Sequence, residues 1–200
     1  MAVNNTGANA FKLIKPKYIV ATLFTGKETD ETSPLGDTYI LEDVVRDTTS
    51  ISQDDNETTD IERETSDTPI TSIVTLGKWQ LSSEVADTNG TLLAGLCGFT
   101  YDSKAKKAYA PSSYEQKYAK IAVAFTNPKD ATKLTAFVLP KVQLNSKMTI
   151  ESLNSNLGRI TLAGTAQLVT VKVPDGSSAS TTKNISTPFW TEEEYTLPTA

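Results

Sequence analysis

Lys120-Ile121-Ala122-Val123-Ala124-Phe125-Thr126, then Asn127-Pro128-Lys129-Asp130, then the run Leu134 to Leu144, is the stretch that decides the fold class. Both runs carry the β-branched and aromatic residues that suit a pleated surface, and the Asn-Pro-Lys-Asp segment between them reads as a turn. Pro140 sits inside the second run, where its missing N–H marks an edge or a bulge. Upstream, Tyr18 to Phe24 reads as a strand bounded by Pro16 and Gly26, and Thr38 to Val45 as another. Thr48 to Gln53 has the alternation of a third. Ile70 to Leu76 is stopped by Gly77, with Lys78 to Leu81 continuing it after a kink. Downstream, Met148 to Leu153, Gly158 to Ala166 and Gln167 to Val173 repeat the pattern. Thirty threonines add to the β bias. The chain is mainly β.

One helix is expected, between Ser83 and Leu96. Ser82 or Ser83 would cap it, Gly90 interrupts it, and Gly98 ends it, so its firm part is Thr91 to Cys97. Leu92, Leu93 and Leu96 form its apolar stripe. Residues 1–15, rich in Asn, Ala and Gly, read as an N-terminal arm with Phe11 as its anchor. Residues 174–200 read as a linker and extended C-terminal arm, in which Phe189, Trp190 and Tyr195 are large groups without an obvious element to bury them. Such anchors dock on a partner or pack back on their own domain. The body between the arms, 16–173, is one β domain.

Charge is unevenly placed. Fourteen of the 24 acidic residues and only two of the 19 basic ones, Arg46 and Arg63, lie within residues 28–67. The other 160 positions hold ten acidic and seventeen basic residues. Charge of one sign gathered in one region serves a field rather than a fold. If Asp60 to Thr65 is extended, Asp60, Glu62 and Glu64 share one face and Ile61 and Arg63 the other. Residues 46–58, with Asp47, Asp54, Asp55 and Glu57, read as an acidic loop, and Asp54 to Thr58 as a loop or hairpin tip. The net charge of −5 argues against general nucleic-acid binding.

The chemistry-bearing residues are few. There is no histidine, which removes the usual general base, metal ligand and nucleophile partner. The single Cys97, on the apolar side of the helix, reads as a structural thiol. Ser103-Lys104-Ala105-Lys106 matches a Ser-x-x-Lys pattern that chance supplies in so polar a chain. Asp54, Asn56, Thr58, Asp60 and Glu62 alternate as in a calcium loop, but Thr59 stands where that loop needs glycine. No glycine-rich phosphate loop, apolar membrane span or signal segment is visible. A non-enzymatic protein without a cofactor or membrane association, made in a reducing cytosol, is expected. Lys104, Lys106 and Lys107, with Tyr101 and Tyr109 beside them, suit contact with the acidic region of another copy.

The β-rich layout, the short helix, the long acidic connection in the first half and the run Thr58-Thr59-Asp60-Ile61-Glu62-Arg63-Glu64-Thr65-Ser66-Asp67-Thr68-Pro69-Ile70 together resemble the major tail tube proteins of tailed bacteriophages. The resemblance covers most of residues 15–173 in layout. It implies a two-sheet β-sandwich or open barrel with a flanking helix, forming hexameric rings that stack into a hollow virion tail tube. Duplex DNA passes through such a tube without specific binding. A duplex carries one charge per ~1.7 Å, so an anionic wall lets it slide without adhering. By this resemblance Asp60, Glu62 and Glu64, then Glu42 and Asp43, are lumen candidates. Residues 46–58 become an inter-ring loop, and both arms become bridges between subunits or to other tail proteins.

Two alternatives stay open. One is another virion component, such as a tail completion or head-to-tail ring protein. The other is a monomeric β-sandwich that binds carbohydrate or calcium, for which Trp79 and Trp190 are the only indoles.

Overall fold

The computed structural model describes residues 16–25, 35–63, 66–113, 115–127, 129–150, 158–174 and 182–198. Its centre is the pair read first from the sequence. Strand β9 (Tyr118–Thr126) pairs antiparallel with β10 (Leu134–Leu144), from Leu134↔Thr126 to Gln143↔Tyr118. On the far side of β9 lie β1 (Tyr18–Phe24) and then β2 (Leu35–Leu41).

The other edge of β10 is divided. Its first half, Leu134 to Val138, pairs with β15 (Trp190–Tyr195), and its last residues, Val142 to Leu144, pair with β12 (Arg159–Ala166). Pro140 stands between the two halves, where the ladder to β9 also slips between Leu139 and Val142. A residue with no N–H fits where pairing changes partner, and a bulge there bends the strand. Beyond β12 the order continues through β6 (Trp79–Val85) to β3 (Ser50–Gln53), with β11 (Lys147–Thr149) also on β12.

The bend makes both halves of this nine-stranded sheet face one core, as in a β-sandwich or open barrel. Ile19, Ile121, Val123 and Leu139 come from one half, and Leu81, Val85, Ile160 and Leu162 from the other. Helix α1 (Gly90–Cys97) adds Leu92, Leu93 and Leu96. Three two-stranded sheets complete the described strands: β4 (Glu57–Arg63) with β5 (Ser66–Thr75), β7 (Thr100–Asp102) with β8 (Lys107–Tyr109), and β13 (Val169–Pro174) with β14 (Thr182–Thr187).

The structure corrects three expectations. The helix does not begin near Ser83. Ser83, Glu84 and Val85 belong to β6, where Ser83 and Val85 are buried and the serine hydroxyl lies 2.8 Å from that of Thr49. Asn89 is the cap, its side chain accepting from the Leu92 N–H at 2.9 Å, and Gly90 opens the helix instead of interrupting it. Gly98 ends it as expected, at a φ of 75° that only glycine adopts freely. Lys117 Nζ donates to the carbonyls of Ala94 at 2.7 Å and Gly95 at 3.0 Å, placing a cation at the negative end of the helix.

Second, the segment 174–200 is not simply a linker and arm. It supplies β14 and β15. Trp190 and Tyr195 pack against Val20, Ala122, Ala124, Ala136 and Val138 on the outer face of the β1–β9–β10 sheet. Thr135 Oγ1 and Asn127 Nδ2 both donate to the Glu193 carbonyl, and Lys133 pairs with Glu194. The three alanines leave room on that face for two large rings. The anchors of the C-terminal segment therefore pack back on their own domain. Third, Lys78 to Leu81 does not continue the strand before Gly77: Trp79 opens β6 in the large sheet, whereas β5 pairs with β4, and Asp54 to Asn56 is a loop from β3 to β4.

Candidate assembly surface

Strands β4 and β5 form a ribbon of their own. The register runs from Glu57↔Thr75 to Ile61↔Thr71. Alternation puts Thr59, Ile61 and Ile73 on one face and Thr58, Asp60, Ser72 and Val74 on the other. Among the described residues neither strand contacts a third element extensively. Ile61 is 43% exposed, Ile73 53%, Val74 57% and the following Leu76 72%. An isolated two-stranded ribbon is marginal in water, and this one carries apolar side chains on both faces.

Its base is clamped to the body. The Asp54 N–H donates to the Lys78 carbonyl at 2.9 Å, the Gly77 N–H to Asn56 Oδ1 at 3.0 Å, and Gln53 Nε2 to the Gly77 carbonyl at 3.1 Å. Gln80 Nε2 donates to Asp54 Oδ2 at 3.0 Å. Gly77 is required here by close approach: a Cβ on it would stand 1.8 Å from the Asp54 carbonyl oxygen. Gly77→Ala is expected to push the ribbon off its base at a cost of roughly 1–3 kcal/mol, as overpacking does. Hydrogen exchange would register this as lost protection in β4 and β5 with the core unchanged.

The described acidic candidates fall into four places. Asp60 is exposed on the ribbon and accepts a hydrogen bond from the Ser72 hydroxyl. Glu62 lies in β4, where the register slips between Ile61 and Arg63. Glu64 lies outside the described residues, as do Phe11 and the N-terminal arm. Asp54, Asp55 and Glu57 gather at the ribbon base, all exposed. Glu42 and Asp43 are exposed just after β2, where the Asp43 carbonyl accepts from the Ala86 N–H at 2.9 Å. Asp47 is apart from both groups, in a turn at a φ of 61° beside Arg46 Nε at 3.1 Å.

No family model matches this chain, and no curated protein does. Asp54 pairs with Gln80, Asn56 with Gly77 and Asp60 with Ser72, so the calcium-like series is spent on three separate partners. Ser103 and Lys106 occupy the exposed turn of β7–β8, where Asp102 accepts from the N–H groups of Lys104 and Ala105. The Cys97 thiol is pushed up to about 11 by burial, against the opposing charge of Lys117. Native Cys97 is thus expected to resist alkylation at neutral pH and to react rapidly only after unfolding, which a thiol-release assay with and without denaturant measures. Among the described residues no helix is long and apolar enough to cross a membrane.

One feature escaped the sequence. A cavity of about 590 Å³ lies at one end of the core, lined by Trp79, Phe125, Phe137 and Phe189, with Arg46 and Asp47 among its other lining residues. Its rings come from β6, β9, β10 and the segment before β15, positions with no local pattern in common.

Proposed function

We propose that the chain is a structural subunit that assembles with copies of itself into stacked hexameric rings, forming a hollow virion tail tube for DNA. The observation that carries this reading is the clamped, projecting ribbon β4–β5, which exposes Ile61, Ile73 and Val74 and touches little of its own body. A rigid base with an uncovered apolar ribbon suits insertion into a neighbour. Completing the burial of three half-exposed side chains and Leu76 is worth about 1 kcal/mol each. That total does not exceed the 4–15 kcal/mol association cost, so main-chain pairing must add to it. Among the described residues the strand path ends at β2 and β3, which have no strand on their outer edges.

Ring closure gives each subunit two such contacts, one given and one received. The exposed carboxylates Asp60, Glu42 and Asp43 suit a wall that repels a sliding duplex, and Asp54, Asp55 and Glu57 at the ribbon base suit contact with basic groups on the next ring. Catalysis has no part in this reading.

Negative-stain microscopy of the purified chain over rising concentration tests it. Rings and tubes are the expected result, and strict monomers at every concentration would exclude the reading. The triple change Asp60→Lys, Glu62→Lys and Glu64→Lys is expected to permit tubes but make them retain duplex DNA, with retention falling as salt rises. Tubes that ignore DNA after this change would remove those residues from the wall.

A further inference from the structure

The hairpin β7–β8 is a second exposed element beside the ribbon β4–β5, and the two carry opposite charge. Residues Asp102 to Ala110 are all exposed, and the main contact of the hairpin is with helix α1. Tyr101 faces that helix, since a Cβ on Gly90 would stand 2.2 Å from its ring. Tyr101 pairs with Ala108, so the neighbouring pairs, Thr100↔Tyr109 and Asp102↔Lys107, lie on the face turned away from the helix. Tyr109 is 52% exposed there, two residues from Lys107, and Lys104 and Lys106 continue the positive charge through the turn. Among the described residues none of these lysines forms an ion pair. Asp102, the one acid of the hairpin, has Oδ1 held by the N–H groups of Lys104 and Ala105.

The ribbon presents the complement. Glu57 shares a face with Thr59, Ile61 and Ile73, whereas Asp60 is on the other. Asp55 is exposed beside Glu57 at the base. Glu57 pairs with Thr75, so Ile73 lies diagonally across from it, at about 7–8 Å. Lys107 and Tyr109, two residues apart on one strand, are separated by about 7 Å. A cation beside an aromatic ring on one element thus matches, in spacing, a carboxylate beside an isoleucine on the other. We propose that the β7–β8 hairpin of one copy is the seat for the β4–β5 ribbon of the next. Tyr109 covers Ile73 and Ile61, while Lys104, Lys106 and Lys107 meet Asp55 and Glu57. The inference rests on the self-assembly reading and names the surface that receives the ribbon. Such a contact joins different patches on the two copies, so it propagates instead of closing on a pair. It also leaves Asp60 on the uncovered face of the ribbon. The net charge of −5 disfavours a polyanion as the partner, whereas carboxylates of the same chain match the lysines.

Two variants reverse the two sides, Lys104→Glu/Lys106→Glu/Lys107→Glu and Asp55→Lys/Glu57→Lys. Each alone sets like charges together in every contact, and is expected to raise the concentration needed for assembly roughly 100-fold while keeping the wild-type circular dichroism. Mixed in equal amounts they are expected to assemble again, because each hairpin then meets a ribbon of opposite sign. Tyr109→Ala, which changes no charge, is expected to weaken assembly about tenfold. Sedimentation velocity reads all of these. Should lysine reversal disturb the fold, Lys104→Gln/Lys106→Gln/Lys107→Gln replaces it, and salt should weaken assembly of the wild type far more than of this variant. If the wild type assembles and a reversed variant does so equally, or if mixing restores nothing, the proposal is overturned and the assembly reading stands. A wild type that stays monomeric at every concentration removes the assembly reading and this inference with it. Duplex DNA bound by the wild type and lost on lysine reversal, with assembly unchanged, assigns the hairpin to nucleic acid and also overturns the proposal.

Discussion

The double change Ile73→Asp and Val74→Asp is expected to abolish self-association while leaving the fold and its melting temperature nearly unchanged. The two residues are neighbours in β5, so they project from opposite faces of the ribbon, and each is more than half exposed. In the single chain, changing them removes almost no burial, and exposed substitutions move stability by no more than about 0.5 kcal/mol. In an assembly the same positions would be covered. Two carboxylates there would be desolvated without partners, at several kcal/mol each, far more than the apolar contact supplies. Sedimentation velocity reads the loss and far-UV circular dichroism the retained fold. Assembly that persists would move the interface away from the ribbon and remove the observation on which the tube reading rests.

The largest effect on stability is expected from Leu162→Ala. Leu162 is fully buried on β12, opposite Ser83 in β6, in the core that both halves of the sheet share. Removing its side chain loses transfer energy and leaves a void, at a cost of about 2–5 kcal/mol. For a domain of this size that lowers the melting temperature by roughly 2–4 °C per kcal/mol. Leu168→Ala is the control, since Leu168 is 70% exposed, and it should change little. Scanning calorimetry of both variants gives the comparison. Equal melting temperatures would contradict the placement of the core between the two halves.

Much of the fold was legible in the order of residues, and the reasons are local. Ile121 to Phe125 and Leu134 to Leu144 carry β-branched and aromatic residues in runs too rich to be loops. Pro140 announces a break in pairing because a missing N–H acts within one residue. Gly98 ends the helix in a left-handed backbone conformation that glycine adopts without steric cost. The helix start was misplaced because Ser82-Ser83-Glu84 has the chemistry of a cap while Asn89 has it too, and only pairing of β6 with β12 decided between them. The C-terminal strands were missed because Trp190-Thr191-Glu192-Glu193-Glu194-Tyr195 is too acidic to read as a strand on its own. Its edge on β10 exists because that strand divides its pairing between β15 and β12, on either side of Pro140.

The acidic region repeats the lesson at the site. Composition by itself determined that residues 28–67 hold most of the negative charge and that a histidine-dependent site is absent, since both are counts that no folding can alter. Tertiary structure alone decided how that charge is divided: Asp60 on a projecting ribbon, Asp54 held in its clamp, Asp47 at the cavity, Glu42 and Asp43 beside β2. It also created the cavity, from four rings spread over more than a hundred positions. Local chemistry sets strands, turns and caps within a few residues, while a surface or a cavity arises from pairings between residues far apart in the chain.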